Sequence, residues 1–410
     1  MALRTQRPSW IANGLAGVLL AGCMTMAPPS PMPAAPQSLT LTQTGFAALE
    51  GWRSAALSAA LVAFQRSCAV LVQRQDATPM GGVQYAGTVA DWRGACAAAT
   101  SPGEARNFFE ANFVPYRMSQ GDRLGLFTGY YEPELRGSRT RHDAYQTPLY
   151  GAPADLVSVD LGLFRDTFKG QRLAGRVVMN RLVPYPARSE IVRGGLPAAT
   201  ALFYIDNPVD AFFLQIQGSG RITLDNGSVV RAVFAGQNGQ PYTAIGAVLV
   251  QRGEMKREEV SAQSIRAWLA SHPADAEGLM NANASYVFFA ERAIGDPALG
   301  AAGTQGAPLT PEASLAVDTG IHALGVPAFL ETVAPDADAA GSERAFDRLL
   351  IMQDTGGAIR GALRGDVYWG FGARPGEIAG RMRSEGRMSV LLPKAVAARL
   401  GSTASFNTPP

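Results

Sequence analysis

The sequence is poor in the residues that hold metals and phosphates. Its three histidines, His142, His272 and His322, are scattered through 410 residues without ligand spacing, so we expect no metal site. The pattern Gly-x-x-x-x-Gly-Lys is absent, which excludes a phosphate-binding loop of that kind. The formal net charge is only +2, whereas a nucleic-acid-binding protein would carry a clear basic excess. We therefore expect no cofactor and no nucleic-acid partner.

Long apolar runs are also scarce, and the one near the start is too short to cross a bilayer. Ile11–Ala21 follows a basic segment and ends in Leu20-Ala21-Gly22-Cys23, which resembles a bacterial lipobox. It predicts a signal peptide over residues 1–22 and lipidation of Cys23, with a plain secretory signal as the alternative. Met24 stands where an inner-membrane retention signal has Asp, so the resemblance favours a lipid anchor in the outer membrane, facing the periplasm.

The mature chain would begin with a tether and keep only two further cysteines. Loss of Arg4 and Arg7 with the signal peptide leaves 34 basic and 34 acidic residues. Residues 23–38 are rich in Pro, Ala and Ser, which predicts a flexible tether. In an oxidising periplasm, Cys68 and Cys96 either form a disulfide or remain two buried free thiols.

The N-terminal part is predicted to be helical and the middle part to be built of strands. Apolar spacings of three and four predict one long helix, or two, over Phe46–Val72, with further helix at Ala95–Thr100 and Gly103–Phe113. From Leu124 the sequence alternates, and the segment 136–260 predicts short strands between Gly and Pro turns. Short, regular strands of this kind suggest a small barrel or sandwich.

The C-terminal part is predicted to mix helices with strands. The predicted helices are Glu258–Ser271 and Ala276–Asn281, the predicted strands include Tyr286–Phe289 and Met388–Lys394, and the tail Ala398–Pro410 is predicted to be loose. Leu224-Asp225-Asn226-Gly227-Ser228 is a hairpin signal within the preceding strand region. The fold class is therefore mainly β with attached helices, or α+β.

Two carboxylates and a group of aromatic residues lie in the segment 349–372. The apolar run Leu349–Met352 predicts a buried strand, and Asp354 follows it in a Gly-rich turn. Asp366 comes next, on what we predict to be a second tight turn. The aromatic residues that follow it are Tyr368, Trp369 and Phe371. Aromatic faces suit sugar rings, and an apolar wall raises the pKa of an acid so that it holds a proton to donate. An acid in such a turn also often caps only its own backbone.

Two other segments carry side chains suited to binding a glycan. The candidates on the strand after Leu124 are Thr128, Tyr130 and Tyr131, and those in a predicted tight turn are Gln215, Gln217 and Ser219. Amides and hydroxyls hydrogen-bond sugar hydroxyl and acetamido groups. The tyrosines are equally suited to packing on the core, and the turn is equally suited to being an ordinary hairpin.

Asp318 and Asp354 each begin an Asp-Thr-Gly sequence, which raises the alternative of an aspartic protease. In such an enzyme two of these turns face each other and share one proton. The two turns are only 36 residues apart and no repeat surrounds them. This spacing is too short for the two turns to lie in separate lobes. Acid-catalysed cleavage of a glycosidic bond is the better interpretation, since one carboxylate suffices when the substrate supplies the nucleophile.

Several separate blocks resemble the membrane-bound lytic murein transglycosylase A family, with its three-aspartate domain at 349–372. In chain order the other blocks are FTGYYEP, QIQGSGRI, AGQNGQPY, IGAVLVQRGE, SIRAWL and SYVFF, between about residues 127 and 394. The resemblance implies a double-psi β-barrel domain with an inserted smaller β-barrel domain and a glycan groove between them. The implied divisions are 1–22 signal peptide, 23–38 tether, 39–135 and 259–397 the two parts of the larger domain, 136–258 the insert and 398–410 the tail.

The same resemblance implies a reaction and roles for the three aspartates. Asp366 falls on the family's single general acid/base, and Asp354 and Asp318 fall on supporting positions. The reaction would cleave the β-1,4 bond between N-acetylmuramic acid and N-acetylglucosamine in peptidoglycan, by attack of the muramyl C6 hydroxyl, giving a 1,6-anhydro end. The partners would be glycan strands and, through Cys23, the outer-membrane lipid; we expect a monomer. The alternatives are a glycan-binding tether without activity and a water-using muramidase with Asp354 as base.

Overall fold

Strands and helices follow one another along the chain. The computed structural model describes residues 38–168, 171–196, 201–339, 341–357 and 359–408. The strands are β1 (Ser38–Gln43), β2 (Phe113–Ser119), β3 (Gly125–Glu132), β4 (Glu134–Ser138), β5 (Thr147–Tyr150), β6 (Val157–Asp160), β7 (Arg172–Val178), β8 (Arg181–Pro184), β9 (Ala201–Ile205), β10 (Ser219–Leu224), β11 (Val229–Gln237), β12 (Val287–Ala293), β13 (Ser314–Val317), β14 (Pro327–Pro335), β15 (Glu343–Asp354), β16 (Arg364–Phe371), β17 (Arg383–Pro393) and β18 (Thr403–Asn407). The helices are α1 (Ser58–Leu71), α2 (Val89–Ala98), α3 (Ala105–Asn112), α4 (Arg188–Glu190), α5 (Pro208–Gln217), α6 (Ile245–Gln251), α7 (Ala262–Ser271), α8 (Pro273–Asn281), α9 (Ala373–Arg381) and α10 (Lys394–Leu400). The predicted signal peptide, Cys23 and all but the last residue of the predicted tether lie outside the described residues.

Six strands form a closed barrel. Their order is β14-β15-β13-β16-β3-β17, and the pairing of β17 with β14 closes the ring. The pairs β13–β15 and β16–β3 are parallel, and the other four are antiparallel. Strands β2, β1 and β18 continue the sheet from β17. Because β3 comes from the first half of the chain and β16 from its end, the barrel closes only when both parts of the chain have come together.

The barrel and the N-terminal helices share one apolar core. The predicted buried strand Leu349–Met352 forms part of β15, and its four residues are at most 1% exposed. Large aromatic residues of the N-terminal part belong to the same core: Trp52, Phe64, Trp92, Phe109 and Phe113. Each such ring removes a large apolar area from water. The predicted helical character of this part is therefore confirmed, and its function is to pack against the barrel.

A second, smaller sheet also closes on itself. Its order is β12-β11-β10-β4-β9-β5, and a bridge between Gly151 and Phe289 brings the first and last strands together. The predicted hairpin after Leu224 joins β10 to β11. Helix α5 contributes Ala211 and Leu214 to the core of this sheet. The prediction of an α+β fold containing two barrels is confirmed.

A buried ion cluster joins the two barrels where β3 ends. The carboxylate of Glu132, 0% exposed, accepts from Arg221 Nε at 3.3 Å and from Arg231 Nη2 at 3.2 Å. The same guanidinium groups donate to the carbonyl of Leu299, and the Arg221 guanidinium lies 3.4 Å from the centroid of the Phe371 ring. Buried charges need such partners, because an unpaired one is costly. The cluster therefore fixes the second sheet against β3 and β16.

Two segments predicted as strands are helices. Helix α5 begins after Asn207, whose side-chain oxygen accepts from Val209 N at 2.9 Å, and Pro208 occupies its first turn. It ends at Gly218, which has φ +82°. These capping residues outweigh the β-forming residues between them. Helix α6 replaces the strand predicted from the apolar run after residue 240, because a short apolar run alone does not distinguish helix from strand.

The two ends of the described chain were also predicted incorrectly. The tail predicted to be loose forms the end of α10 and then β18, and β18 pairs antiparallel with β1. The helix predicted from Phe46 begins only at Ser58, after a short 3-10 turn.

The prediction of a tight turn at Asp366 is wrong, because Asp366 lies within β16. Among the described residues, no helix is long and apolar enough to cross a membrane.

Cys68 and Cys96 form a disulfide between α1 and α2, which decides between the two alternatives left open by the sequence. Their Cα atoms are 5.3 Å apart and the residues are 28 positions apart in sequence. Both side chains lie in the core of the larger barrel and its helices. The bond therefore holds the two helices together within an already packed region.

We expect loss of this disulfide to destabilise the fold. For a closed loop of this length, Cys68→Ala with Cys96→Ala should lower the free energy of unfolding by about 2–4 kcal/mol. Urea unfolding followed by circular dichroism measures the change, and the wild type in dithiothreitol is the matched comparison. Equal midpoints for oxidised and reduced wild type would contradict the expectation.

We expect Glu132→Gln to destabilise the protein strongly. The substitution leaves two buried guanidinium groups without a counter-charge, at a cost of about 3 kcal/mol or more. Glu134→Gln is the matched control, because Glu134 is exposed and only two residues away; it should change the free energy of unfolding by less than about 0.5 kcal/mol. Equal effects of the two substitutions in thermal unfolding would refute the role of the cluster.

Candidate active site

The parallel pairing of β16 with β3 builds the centre of the site. Asp366 lies opposite Thr128, and Tyr368 lies opposite Tyr130. Residues two apart on a strand face the same side, so these four side chains share one face. On the other side of β16, Asp366 pairs with Ala316 of β13. The small alanine leaves room beside the acid on that face.

A chain of hydrogen bonds fixes one oxygen of Asp366. Arg364 Nη2 donates to Thr128 Oγ1 at 2.8 Å, and Thr128 Oγ1 donates to Asp366 Oδ1 at 2.7 Å. The direction follows from chemistry, because a guanidinium only donates and the threonine hydroxyl has one hydrogen to give. Among the described residues, no protein group hydrogen-bonds Oδ2 of Asp366. That oxygen is therefore available to a ligand.

Burial raises the pKa of the Asp366 carboxyl above its ordinary value. The positive charge of Arg364 and the Thr128 hydrogen bond oppose this shift, and the nearby Asp354 charge adds to it. Burial disfavours the charged form of an acid, and a like charge does the same. The pKa of this carboxyl is thus held above that of an exposed aspartate, while its conjugate base has two stabilising partners in Thr128 and Arg364.

Asp354, the last residue of β15, has both oxygens occupied. Its Oδ1 accepts from Thr304 N at 2.9 Å and from Thr304 Oγ1 at 2.8 Å, and its Oδ2 accepts from Tyr130 Oη at 3.0 Å. Burial raises the pKa of Asp354, while the hydrogen bonds from Thr304, Thr355 and Tyr130 oppose that shift. A carboxylate held by this many donors is suited to positioning its neighbours rather than to accepting a proton from water.

Tyr130 connects the two acids. It donates to Asp354, and the centroid of its ring lies 5.3 Å from that of Tyr368. Burial, together with the charges of Asp354 and Asp366, raises the pKa of Tyr130 well above its ordinary value. The phenol is therefore a neutral hydrogen-bond donor at any physiological pH.

Tyr368 is buried beside the Tyr130 ring. It is 1% exposed, and a Cβ on Gly300 would lie 2.5 Å from its hydroxyl oxygen. Burial raises its pKa, as does the charge of Glu132. Its hydroxyl has no hydrogen-bond partner among the described residues. Tyr368 therefore packs behind Tyr130 rather than presenting a surface to a ligand.

A buried network connects α1 to the end of β15. The amide of Gln353, 0% exposed, donates to Ala63 O at 3.0 Å and Ser67 Oγ at 2.9 Å, and accepts from Ser314 Oγ at 2.6 Å. Ser67 Oγ donates to Gln305 Oε1 at 2.7 Å, and Gln305 N donates to Gln353 O at 3.0 Å. Both side-chain atoms of Gln353 are thus satisfied, which makes such a network rigid, whereas Gln305 Nε2 has no hydrogen-bond partner among the described residues. This network therefore fixes the backbone on both sides of the Asp354–Thr304 contact.

The third aspartate, Asp318, lies apart from this cluster. Its Oδ1 accepts from Gly320 N at 3.0 Å and its Oδ2 accepts from Gly361 N at 2.9 Å. It therefore ties the turn after β13 to the turn before β16. Its charge also acts on His322, whose pKa burial lowers to about 4. His322 is buried and bonded to Tyr85 and the Ala362 carbonyl, so it belongs to the core.

The remaining aromatic candidates lie on other faces. Trp369 points to the opposite side of β16 from Asp366; it is 3% exposed and its Nε1 lies 3.4 Å from Met382 Sδ. Phe371 stacks under Arg221 in the ion cluster. Tyr131 packs against Gly376 of α9, where a Cβ would lie 2.8 Å from its ring. The structure therefore groups Thr128 and Tyr130, but not these three, with the two acids.

The three polar candidates after residue 214 lie at the end of α5 and the start of β10. Gln215 is 7% exposed, and its Oε1 is 3.5 Å from Val287 N. Gln217 Oε1 accepts from Tyr131 N at 3.1 Å, and Ser219 is the first residue of β10. Within the described ranges, none of the three bonds directly to Asp354 or Asp366. Gln217 joins α5 to β3, and Gln215 joins α5 to β12.

Sequence reasoning missed Arg364 and Thr304. Arg364 precedes Asp366 by two residues, so the strand assignment alone would have placed both on one face. Thr304 is 50 positions from Asp354 and gives no local signal.

Among the described residues, no group of three or more His, Cys, Asp or Glu is arranged to hold a metal ion.

Two family models match the chain over regions that include this site. The MltA specific insert domain matches residues 126–290, and the 3D domain matches residues 313–392. Thr128 and Tyr130 fall in the first match, both Asp354 and Asp366 fall in the second, and Thr304 lies between the two matches. The two acids and their partners Thr128 and Tyr130 thus come from different matched regions.

Known proteins match over most of the chain. Membrane-bound lytic murein transglycosylase A of Escherichia coli K12 is 33% identical over 293 residues, 70% of this chain and 72% of that protein. The crystal structure of a membrane-bound lytic murein transglycosylase from Agrobacterium tumefaciens superposes with a TM-score of 0.77 at 32% identity, covering 88% of this chain and 99% of that one. E. coli MltA with bound chitohexaose has a TM-score of 0.60 at 29% identity, covering 74% and 84%. The chain belongs to the membrane-bound lytic murein transglycosylase A family.

Proposed function

We propose that this chain is a lytic transglycosylase that cleaves the β-1,4 bond between N-acetylmuramic acid and N-acetylglucosamine in peptidoglycan. Asp366 is its single general acid/base, and the product carries a 1,6-anhydromuramic end. The observation that carries this proposal is the asymmetry of the two acids. Asp366 has a raised pKa and one oxygen without a protein partner, whereas both oxygens of Asp354 are occupied by donors.

The first step is proton donation to the leaving oxygen. The Oδ2 proton of Asp366 passes to the glycosidic oxygen as the bond from that oxygen to C1 of the muramyl sugar breaks. The electron pair of the bond stays with the N-acetylglucosamine oxygen, which becomes a hydroxyl. Asp366 is left as a carboxylate, and the Thr128 hydroxyl and the Arg364 charge stabilise it.

The second step returns the proton. The muramyl C6 hydroxyl attacks C1, and its proton passes to the Asp366 carboxylate. The enzyme is then restored, and no water is consumed. One carboxyl serves as both acid and base, as required when the nucleophile belongs to the substrate.

The main alternative is a muramidase that uses water. It needs a second carboxylate with a free oxygen to activate the water molecule. The oxygens of Asp354 instead accept from the Thr304 amide, the Thr304 hydroxyl and the Tyr130 phenol. This arrangement supports a role for Asp354 in orienting Tyr130 beside Asp366. Asp318 supports the barrel turns.

We further propose that the glycan lies along the face that carries Thr128, Tyr130 and Asp366, beside the second sheet. The binding of chitohexaose by the E. coli relative supports a glycan ligand. The lipobox supports anchoring through Cys23, and the relatives named membrane-bound are consistent with it. The outer membrane, with the enzyme facing the periplasm, is the proposed location.

Asp366→Asn is expected to abolish cleavage. The amide has no proton to donate to the leaving oxygen, so the rate should fall by about 100-fold or more. Mass spectrometry of peptidoglycan digests should find 1,6-anhydromuramic ends with the wild type and none above background with the variant. Asp347→Asn is the matched control: it also removes a strand carboxyl whose pKa burial raises, and it should leave the products unchanged.

Three results would overturn this assignment. Full activity of Asp366→Asn would remove the general acid/base. Reducing ends in place of anhydro ends, lost in Asp354→Asn, would establish the water-using muramidase. Glycan binding without cleavage by the wild type would leave the tethering alternative.

Thr128→Val is expected to shift the pH dependence of the rate to higher pH. Catalysis needs protonated Asp366, so the rate falls as pH rises through the pKa of that carboxyl. The Thr128 hydrogen bond lowers this pKa, and its removal should move the alkaline limb upward by about one pH unit. The same variant should lower the maximal rate, because the carboxylate formed in the first step loses a donor.

The pH–rate profile of both proteins on purified peptidoglycan measures this shift. Thr223→Val, at an exposed threonine of β10, is the matched control and should reproduce the wild-type profile. An alkaline limb that stays in place, or moves to lower pH, in Thr128→Val would contradict the proposed hydrogen-bond chain.

A further inference from the structure

The three-stranded sheet β6-β7-β8 carries an apolar side with no charged residue. Asp160 pairs with Arg172, Val177 with Leu182 and Gly175 with Pro184, and paired residues face the same side. One side, the ribbon face, therefore consists of Val157, Val159, Leu173, Gly175, Val177, Leu182 and Pro184. The opposite side carries the polar and charged residues of the same strands.

The ribbon face points away from the rest of the protein. Leu173 is 51% exposed, Val177 is 58% exposed and Leu182 is 42% exposed. On the opposite side, Ala174 is in close contact with Gly239, where a Cβ would lie 2.6 Å from the Ala174 carbonyl oxygen. A sheet that packs on one side normally presents polar residues to water on the other. This sheet instead exposes large apolar side chains at Leu173, Val177 and Leu182, while its opposite side is covered at Ala174 and exposed at Val178.

The two ends of the sheet extend the apolar surface. Met179, in the hairpin between β7 and β8, is 93% exposed. The connection from β6 to β7 exposes Leu163 at 86% and Phe164 at 72%. Several large apolar side chains exposed in one segment of the chain are typical of a site of interaction with a protein or a membrane.

The charge of the segment is unlike that of the chain. Residues 157–184 contain five basic and two acidic residues, whereas the whole sequence has 36 basic and 34 acidic residues. Arg165, in the connection after β6, and Arg172 and Arg181, the first residues of β7 and β8, are exposed and form a basic rim. Arg172 and Arg181 extend from the side opposite to the ribbon face, and Arg172 lies 3.7 Å from the carboxylate of Asp160. An apolar face with a basic rim matches a bilayer that contains anionic lipid, where the side chains enter the interface and the arginines meet the phosphates.

We propose that the ribbon face rests on the surface of an anionic phospholipid bilayer and forms a second membrane contact besides the lipid anchor. A protein partner fits less well, because protein–protein hot spots are enriched in Trp, Tyr and Arg while Leu and Val are under-represented. The ribbon face has no Trp, Tyr or Arg. This inference goes beyond the proposed activity and uses only the anchoring at Cys23 proposed with it.

The length of chain before β1 makes a weak contact sufficient. From Cys23 to Ser38 there are 15 residues, which span at most about 50 Å when extended. A folded protein tethered this close to a bilayer has an effective concentration at its surface in the millimolar range, roughly. A surface that binds lipid too weakly to recruit an untethered protein is therefore still bound to the membrane for part of the time. The orientation of the body on the membrane is then set by the ribbon face.

The test is site-specific fluorescence on the lipidated full chain in vesicles. Cys68 and Cys96 are joined in a disulfide and the thiol of Cys23 would be acylated, so a new cysteine is labelled alone. Val177→Cys carries an environment-sensitive label on the ribbon face. Val178→Cys is the matched control, because it is the next residue, also an exposed valine at 42%, but on the opposite side. The vesicles contain phosphatidylethanolamine and phosphatidylglycerol, with or without doxyl-labelled lipid.

We expect the label at Val177 to shift to the blue and to lose at least about half of its emission to doxyl lipid, while the label at Val178 changes little. Leu173→Cys, on the ribbon face, should behave as Val177→Cys does, which guards against a local folding defect. Both effects should weaken in phosphatidylcholine vesicles, since the basic rim then lacks its partner.

Several results would overturn the proposal. They are equal quenching at Val177 and Val178, no quenching at either, or failure of the chain to float with the vesicles. If the label at Val177 is shielded from water in the absence of vesicles, to an extent that depends on protein concentration, the ribbon face would instead bind a second copy of the chain. Peptidoglycan cleavage is measured separately on the same samples, so loss of membrane contact and loss of activity are distinguishable.

Discussion

The parallel pairing of β16 with β3 is the constraint on which the site depends. It places Asp366 against Thr128 and Tyr368 against Tyr130, across 238 positions of sequence. A slip of one residue would turn all of these side chains to the opposite side of the sheet. The register is held by the closed barrel on one side and by the Glu132 cluster, at the end of the same strand, on the other.

The chemistry of the site follows from how burial and hydrogen bonding are divided between two acids. Burial raises the pKa of both Asp354 and Asp366. Asp354 is surrounded by donors that occupy both oxygens, whereas Asp366 has one donor on one oxygen. Two carboxylic acids in similar surroundings thus differ in their hydrogen bonding, which is the basis for the proposal that Asp354 orients its neighbours and Asp366 exchanges a proton. The hydrogen bonds of Gln353 connect the end of β15 to helix α1, and the disulfide joins α1 to α2.

Local patterns in the sequence predicted the parts that depend on local physics. The apolar run Leu349–Met352 indicated a buried strand because four apolar residues in succession suit a strand buried on both sides. The aromatic residues after Asp366 indicated an apolar wall beside that acid, and of the three only Tyr368 lies on its face of the strand. The error at α5 arose because its apolar residues have no clear period, so that only the capping residues Asn207 and Gly218 distinguish helix from strand. The Thr304 contact could not be predicted, since it depends on a loop brought in from 50 positions away.

The central claim is that burial holds the pKa of the Asp366 carboxyl above that of an ordinary aspartate. The most direct test is a pH titration of the Asp366 side-chain carboxyl by carbon-13 NMR, assigned by comparison with Asp366→Asn. The account predicts a midpoint clearly above about 3.9, the value of an unperturbed aspartate, with Asp354 titrating as a separate resonance. A midpoint at or below that value would show that Thr128 and Arg364 outweigh burial, and Asp366 would then be a carboxylate at rest with no proton to give.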